Sequence, residues 1–220
     1  MNTSDKTMYK WNEINWQKLE RNVFKLQKRI YQASQSNDKK RVNRLQKLLL
    51  SSTSARLLSV RRVAQINNGK KTAGVDGVKS INQDQRLDLS IKLNLGEKSR
   101  PSRRVWIPKP GKSEKRPLGI PTMTDRAKQA LGKLALEPEW EAKFEPNSYG
   151  FRPARSCHDA IEAIFKGIRQ KNAYVLDADI KGCFDNIDHT ALLKKLNTFP
   201  KLRRIIKKWL SSGIMDENVF

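Results

Sequence analysis

The sequence predicts an α+β protein: a basic helical N-terminal region, then a β-hairpin, then a short acidic strand set among further helices. Three observations support that class. Up to residue 66, apolar residues recur every three or four positions, the period of amphipathic helices. Residues 105–108 (Val-Trp-Ile-Pro) and 116–121 (Arg-Pro-Leu-Gly-Ile-Pro) read as two strands around a turn containing Pro110 and Gly111. Residues 174–180 (Tyr-Val-Leu-Asp-Ala-Asp-Ile) form an apolar run of strand formers that carries two carboxylates.

The first helix has Asn15 as its cap and Trp16, Leu19, Val23, Leu26 and Ile30 along one stripe. Lys18, Arg21, Lys25, Lys28 and Arg29 fall mostly off that stripe. Residues 34–38 break the pattern. A second helix sets Val42, Leu45 and Leu49 against Lys39, Lys40, Arg41, Arg44 and Lys47. A third runs from about residue 54 to 66, carries Arg56, Arg61 and Arg62, and ends at Asn67-Asn68-Gly69. Residues 70–77 are a loop in which Gly74 and Gly77 bracket a turn. Residues 81–96 are poorly patterned. The boundary between the helical region and the next unit is placed there, giving units of 1–90 and 91–220.

After the hairpin, Thr124 or Asp125 caps a helix through Ala127, Ala130, Leu131, Leu134 and Ala135, expected to stop at Pro138. Residues 147–156 are rich in turn formers and interleave Tyr149 and Phe151 with Arg152 and Arg155. Such a mixture suits bases and phosphates; equally, the two aromatics can close the edge of a core. Ser156 caps a helix with Ile161, Ile164, Phe165 and Ile168 on one stripe. The acidic strand follows, with Val175, Asp177 and Asp179 on one face. Folding gains nothing from an acid in such a run unless the charge is paired, solvated or bound to a metal. Gly182 allows a tight turn before Phe184 and Asp185. Asp188 caps a helix through Leu192, Leu193 and Leu196. A last amphipathic helix contains Leu202, Ile205, Ile206, Trp209 and Leu210.

Charge narrows the function. Of 220 residues, 45 are Lys or Arg and 22 are Asp or Glu, a net charge of +23. The first 72 residues hold 17 of the cations and 4 of the acids. Residues 100–116 hold seven cations and one acid. Such an excess points to a polyanion, nucleic acid ahead of an anionic membrane. The hairpin can lie over phosphates with its Arg and Lys side chains already oriented, or it can be an ordinary exposed ribbon. No apolar run approaches the roughly 18 residues of a membrane span. The first residues have no apolar signal core, so a cytoplasmic setting is expected. Cys157, Cys183, His158 and His189 lack the close spacing of a zinc site.

Four blocks, in order, carry a resemblance. They are residues 73–77 (Ala-Gly-Val-Asp-Gly), the hairpin with Ile107 to Gly111 and Arg116 to Pro121, residues 147–156, and the acidic stretch from Asp179 to His189. Together they resemble the N-terminal part of a group II intron-encoded reverse transcriptase, or maturase, from about Trp11 onward. The resemblance implies an RNA-directed DNA polymerase whose N-terminal helices grip intron or template RNA, with an RNA–DNA hybrid and a deoxynucleoside triphosphate as further partners of the protein. Lys18, Arg21, Lys25, Arg41, Arg44, Arg61, Arg62, Arg152 and Arg155 are the candidate RNA contacts. The hairpin becomes the fingers, with Lys109 and Arg116 at positions that contact the incoming nucleotide and Arg103 assisting. The acidic strand becomes the first catalytic motif of the palm. Asp179 matches the metal-binding acid, the Ile180 carbonyl completes that shell, and Phe184 matches the residue that lies under the sugar. Asp185 is the more structural acid. The implied cofactor is Mg²⁺ in a two-metal site, which stabilises the attacking and leaving oxygens. The family's second catalytic motif, an aromatic-x-Asp-Asp turn, is absent from the 220 residues. The expectation is a partial palm, inactive alone, that needs a separate chain for the remaining palm and thumb. The competing expectation is a non-catalytic RNA-binding protein that assists intron folding.

Overall fold

In the computed structural model, residues 10–96, 98–111, 113–170 and 172–216 are described. Asn15 caps helix α1 (Trp16–Gln35) by accepting the Lys18 N–H at 3.0 Å. The chain reverses at Asn37, which takes a left-handed φ of 55°. Asp38 caps α2 (Lys39–Ser51) through the Arg41 N–H at 2.9 Å. Helix α3 (Thr53–Arg61) widens into a π-helical turn, Arg62–Ile66, where Asn67 N–H donates to the Arg62 carbonyl at 2.9 Å. The apolar stripes face inward as the periodicity predicts: Val23, Ile30, Val42, Leu45, Leu49 and Val60 are buried.

Residues 81–96 hold a helix that the periodicity does not reveal, α4 (Gln83–Lys92). Leu87, Leu89, Ile91 and Leu93 fall at alternate positions and give no helical stripe. A capping box overrides that pattern. Asn82 accepts from the Gln85 N–H and Gln85 accepts from the Asn82 N–H, each at 2.9 Å.

Strands β1 (Ser102–Pro108) and β2 (Lys115–Ile120) pair antiparallel, from Arg103 opposite Ile120 to Pro108 opposite Lys115. A third strand, β3 (Ile214–Met215), pairs parallel to the start of β1, so the sheet order is β2-β1-β3.

Helix α5 (Met123–Glu141) is capped by Thr122, two or three residues before the Thr124 or Asp125 cap that the sequence suggests. It also continues past Pro138. A helix-interior proline removes the hydrogen bond to the carbonyl four residues back, which costs about 3 kcal/mol or more in isolation. Here that carbonyl, on Leu134, accepts instead from Gln27 Nε2 of α1 at 3.0 Å. Tertiary contact supplies the donor that the proline lacks, and the helix runs on to Glu141. One turn further, Ser34 Oγ donates to the Glu139 carbonyl at 2.9 Å. The fully buried Glu139 carboxylate receives Lys39 Nζ at 2.6 Å, Lys143 Nζ at 2.7 Å and Gln46 Nε2 at 2.8 Å. Burial alone would raise its pKa. The three hydrogen bonds outweigh burial and hold the carboxyl below the usual range.

Three more helices complete the described chain: α6 (Cys157–Ile168), α7 (His189–Leu196) and α8 (Pro200–Leu210). Leu131 and Ala135 of α5 share one core with Ile30, Leu45, Leu49 and Val60 before them and with Leu202 and Ile205 of α8 after them. Each large side chain so buried contributes about 1.5–3 kcal/mol.

The expected strand at 174–180 does not form. The segment has no regular secondary structure, and Val175, Leu176 and Ile180 stand exposed. A strand exists only where its N–H and C=O groups meet a neighbouring edge. The segment joins no strand of the sheet, whose order is β2-β1-β3. Helix α6 is capped by Ser156 as the sequence suggests, with Asp159 completing a capping box, yet none of its residues is buried.

Candidate nucleic-acid interface and acidic turn

Residues opposite one another on paired strands share a face. Arg103, Val105 and Ile107 of β1 therefore lie on one face of the hairpin with Arg116, Leu118 and Ile120 of β2. The pairing brings Arg103 and Arg116 to the same side, four residues or about 13 Å apart along the ribbon. Arg116 is exposed. Arg103 Nε is engaged, donating to the Ala73 carbonyl at 3.0 Å. Lys109 closes the turn: its N–H donates to the Glu114 carbonyl at 3.0 Å and its Nζ to Glu114 Oε2 at 2.7 Å. That hydrogen bond, with the lysine charge, lowers the Glu114 pKa.

Behind the hairpin, the loop at residues 69–77 is clamped. Arg126 of α5 donates from Nη1 to the Gly69 carbonyl at 2.8 Å, from Nη2 to Thr72 at 2.5 Å and from Nε to Pro121 at 3.0 Å. Burial lowers the Arg126 pKa and the Asp76 carboxylate partly restores it. Gly74 lies against the start of α5 so closely that a Cβ there would sit 2.7 Å from Thr122 Cα. The residue type is thus required by the docking of loop on helix. Sequence reading does not find Arg126; an arginine one turn into a helix carries no signal of its own.

The predicted RNA contacts divide into two groups. Lys18, Arg21 and Lys25 form one exposed stripe on α1, opposite buried Val23 and Ile30. Arg41 and Arg44 of α2 and Arg62 after α3 are likewise exposed. The other group is engaged with protein. Arg61 donates to Glu20 Oε1 at 3.1 Å and lies over the Trp16 ring at 4.5 Å. Arg155 donates to the Pro146 carbonyl at 3.3 Å and covers the Tyr149 ring at 5.5 Å. Arg152 is buried. Its Nε and Nη2 grip Glu141, with Nη2 to Oε1 at 2.6 Å, and Nη1 reaches the carbonyls of Glu145 and Ser148 at 2.6 and 2.7 Å. The Glu141 carboxylate raises the Arg152 pKa. The geometry makes Arg152 the brace of the loop that follows α5.

Asp179 is exposed, and its Oδ1 accepts the Ile180 N–H at 2.9 Å. Gly182 turns the chain with φ 60°, and its carbonyl accepts from Asn186 Nδ2 at 2.9 Å. Phe184 projects from this turn, 78% exposed. Among the described residues no three His, Cys, Asp or Glu side chains gather where they could hold a metal ion. Mg²⁺ holds most of its waters unless several oxygens converge. Asp179 with the Ile180 carbonyl therefore does not amount to a two-metal site. No helix among the described residues is long and apolar enough to cross a membrane.

Comparison with known proteins accords with this geometry. A family model described as the N-terminal domain of reverse transcriptase matches residues 11–93. A second, described as reverse transcriptase (RNA-dependent DNA polymerase), matches residues 107–219. The chain is 37% identical over 159 residues to the group II intron-encoded protein LtrA of Lactococcus lactis subsp. cremoris, covering 68% of this chain and 26% of that protein. It is 32% identical over 191 residues to protein YkfC of Escherichia coli K12, covering 80% and 50%. With maturase-like protein 1 of Euglena gracilis it shares 33% over 195 residues, covering 82% and 41%. The chain thus spans between about a quarter and a half of these curated relatives.

Proposed function

Because the chain belongs to the reverse transcriptase family, we propose that it supplies the RNA-gripping and nucleotide-contacting front of an RNA-directed DNA polymerase of the group II intron maturase kind. The carrying observation is the arrangement of charge on a completed core. Lys18, Arg21, Lys25, Arg41 and Arg44 stand exposed opposite buried apolar faces, and among the described residues none of them enters an ion pair. In this reading residues 1–90 hold intron or template RNA, in the cytoplasm. Residues 91–220 are fingers and part of a palm. Arg116 and Lys109 meet the triphosphate, and Arg103 steadies the loop behind them. Phe184 lies under the sugar.

The family uses Mg²⁺. Asp179 and the Ile180 carbonyl would give one ion part of its shell, with the remaining ligands coming from outside residues 1–220. The exposed, convergence-free acids favour a second reading beside it, in which the chain serves RNA folding without chemistry. Both readings share RNA binding by phosphate contact. Affinity for a structured RNA should fall by roughly 10³–10⁵ between 50 and 200 mM salt if about 6–10 phosphates are contacted; a flat titration contradicts both. Asp179→Asn separates them. The purified chain should give no primer extension, and extension restored by a complementing segment should vanish with Asp179→Asn while RNA affinity stays. A complemented enzyme indifferent to that substitution leaves only the RNA-binding reading.

A further inference from the structure

Helix α8 carries five cations, Lys201, Arg203, Arg204, Lys207 and Lys208, and no acid. All five are exposed, and among the described residues none of them enters an ion pair. Helical spacing sorts them into two stripes. Lys201, Arg204 and Lys208 lie on one flank of the buried Leu202, Ile205 and Ile206; Arg203 and Lys207 lie on the other side of the polar arc. The first stripe has a neighbour. Lys47 of α2 sits over the ring of Phe199, the residue just before α8, at 5.3 Å. Lys47, Arg56 and Lys201 line one groove whose apolar floor includes Leu93, Leu131 and Phe199. On α2, Lys40, Arg44 and Lys47 recur at spacings of four and three, so a second exposed cationic stripe ends at the same groove. Arg56 of α3 is half-buried in the wall of this groove and adds a third element to it.

We infer that the groove between α2 and the start of α8 is a second phosphate-backbone site for RNA, distinct from the α1 face, with Lys47, Arg56 and Lys201 at its centre and Arg204 and Lys208 extending it. The inference rests on the RNA-binding reading above and adds a second surface to it. Phosphate oxygens are the acceptors that match this donor set: strongly anionic, multiply accepting and repeated along a strand at a spacing that two cationic stripes can follow. The contacts are to backbone, so they favour no base sequence.

The test uses the full chain and one structured RNA, with log affinity measured against log salt. Lys201→Gln/Arg204→Gln/Lys208→Gln should lower the magnitude of the slope by about two to three, since each lost phosphate contact removes about one. Arg203→Gln/Lys207→Gln removes charge from the same helix on the other stripe and should change the slope by less than about one. Lys201→Arg should keep the wild-type slope. Circular dichroism melting of each variant verifies that the fold is retained. Lys18→Gln/Arg21→Gln/Lys25→Gln tests the α1 face separately. A wild-type slope in the α8 triple variant, beside a reduced slope in the α1 variant, overturns the groove and leaves the RNA-binding reading intact. Equal loss per charge from both α8 stripes also overturns the groove, because diffuse charge then explains binding. A slope unchanged in both the α1 and the α8 variants overturns the broader reading.

Discussion

Helices α1 and α6 are both strongly amphipathic, both capped by their own side chains, and both read from the sequence without difficulty. Their fates differ. Val23 and Ile30 of α1 are buried against α2, α3 and α5, whereas Ile161, Ile164 and Phe165 of α6 remain 57–61% exposed. The same contrast runs through the polar groups. On the α1 side, the Leu134 carbonyl freed by Pro138 and the carboxylate of Glu139 have partners from distant helices. Residues 172–180, which carry Asp179, pair with no strand, and the hydrogen bond at Ile180 N–H goes to the adjacent Asp179 Oδ1. Amphipathicity states that a face can be buried; burial itself depends on what the rest of the fold brings to that face. The N-terminal bundle with α5 and α8 holds its own complement, and the region from α6 to the acidic turn presents its apolar residues to whatever covers them.

That contrast can be broken most strongly in the core. Leu49→Ala, at a fully buried site between helices, should destabilise the chain by about 2–5 kcal/mol, read from the midpoint of urea unfolding. A loss below about 1 kcal/mol would mean that the bundle is not packed as described. Next is Glu139. Its lowered pKa means that its stabilising contribution is complete above the unfolded carboxyl value near 4.3 and is lost as pH falls through the lower folded value. Glu139→Gln should cost about 1–3 kcal/mol at pH 7, at the low end of buried pairs because Lys39 and Lys143 are partly solvated. The variant should also show a shallower stability loss between about pH 5 and 3 than wild type. An unchanged acid limb would remove Glu139 from the account.

The join between Gln27 and Pro138 gives a smaller and more specific effect. Gln27→Ala leaves the Leu134 carbonyl without its donor and should cost about 1–2 kcal/mol. In a Pro138→Ala background a backbone N–H is available again, so the same Gln27→Ala change should cost less, a coupling of about 0.5–1 kcal/mol in a double-mutant cycle. Additive effects would show that the side chain does not replace the missing bond. Smallest of all should be Phe165→Ser on α6. Removing an exposed ring should leave stability within about 0.5 kcal/mol and reduce self-association in light scattering. A loss comparable to that of Leu49→Ala would mean that α6 is buried after all.

Much of this was legible in the chain itself. Caps at Asn15, Ser156 and Asp188 act as their side chains predict, since a cap is a contact within one helical turn. The hairpin forms for the same reason: its turn residues and its two strands are adjacent in sequence. What stayed hidden is non-local. Pro138 reads as a stop, and only the arrival of Gln27 from 107 positions away makes it a continuation. The strand at 174–180 reads as a strand, but an edge to pair with is a property of other residues. Helix α4 has no helical stripe, and the capping box at Asn82 and Gln85 starts it all the same. At the candidate site the acidic motif was legible by residue type, whereas the commitment of Arg103, Arg126 and Arg152 to backbone carbonyls and carboxylates was not. An arginine's sequence position says nothing about which oxygen it will meet.

Amide hydrogen exchange of the purified chain, resolved by residue, tests the central contrast most directly. The account predicts that the slowest amides lie in α1, α2, α3 and α5 and exchange only through global unfolding, whereas α6 and residues 172–188 exchange orders of magnitude faster, through local opening. A helix of twelve residues with no buried face is marginal in water, which is why α6 belongs with the fast group. Protection of α6 at the level of α1, or exchange in α1 and α5 as fast as in α6, would contradict it.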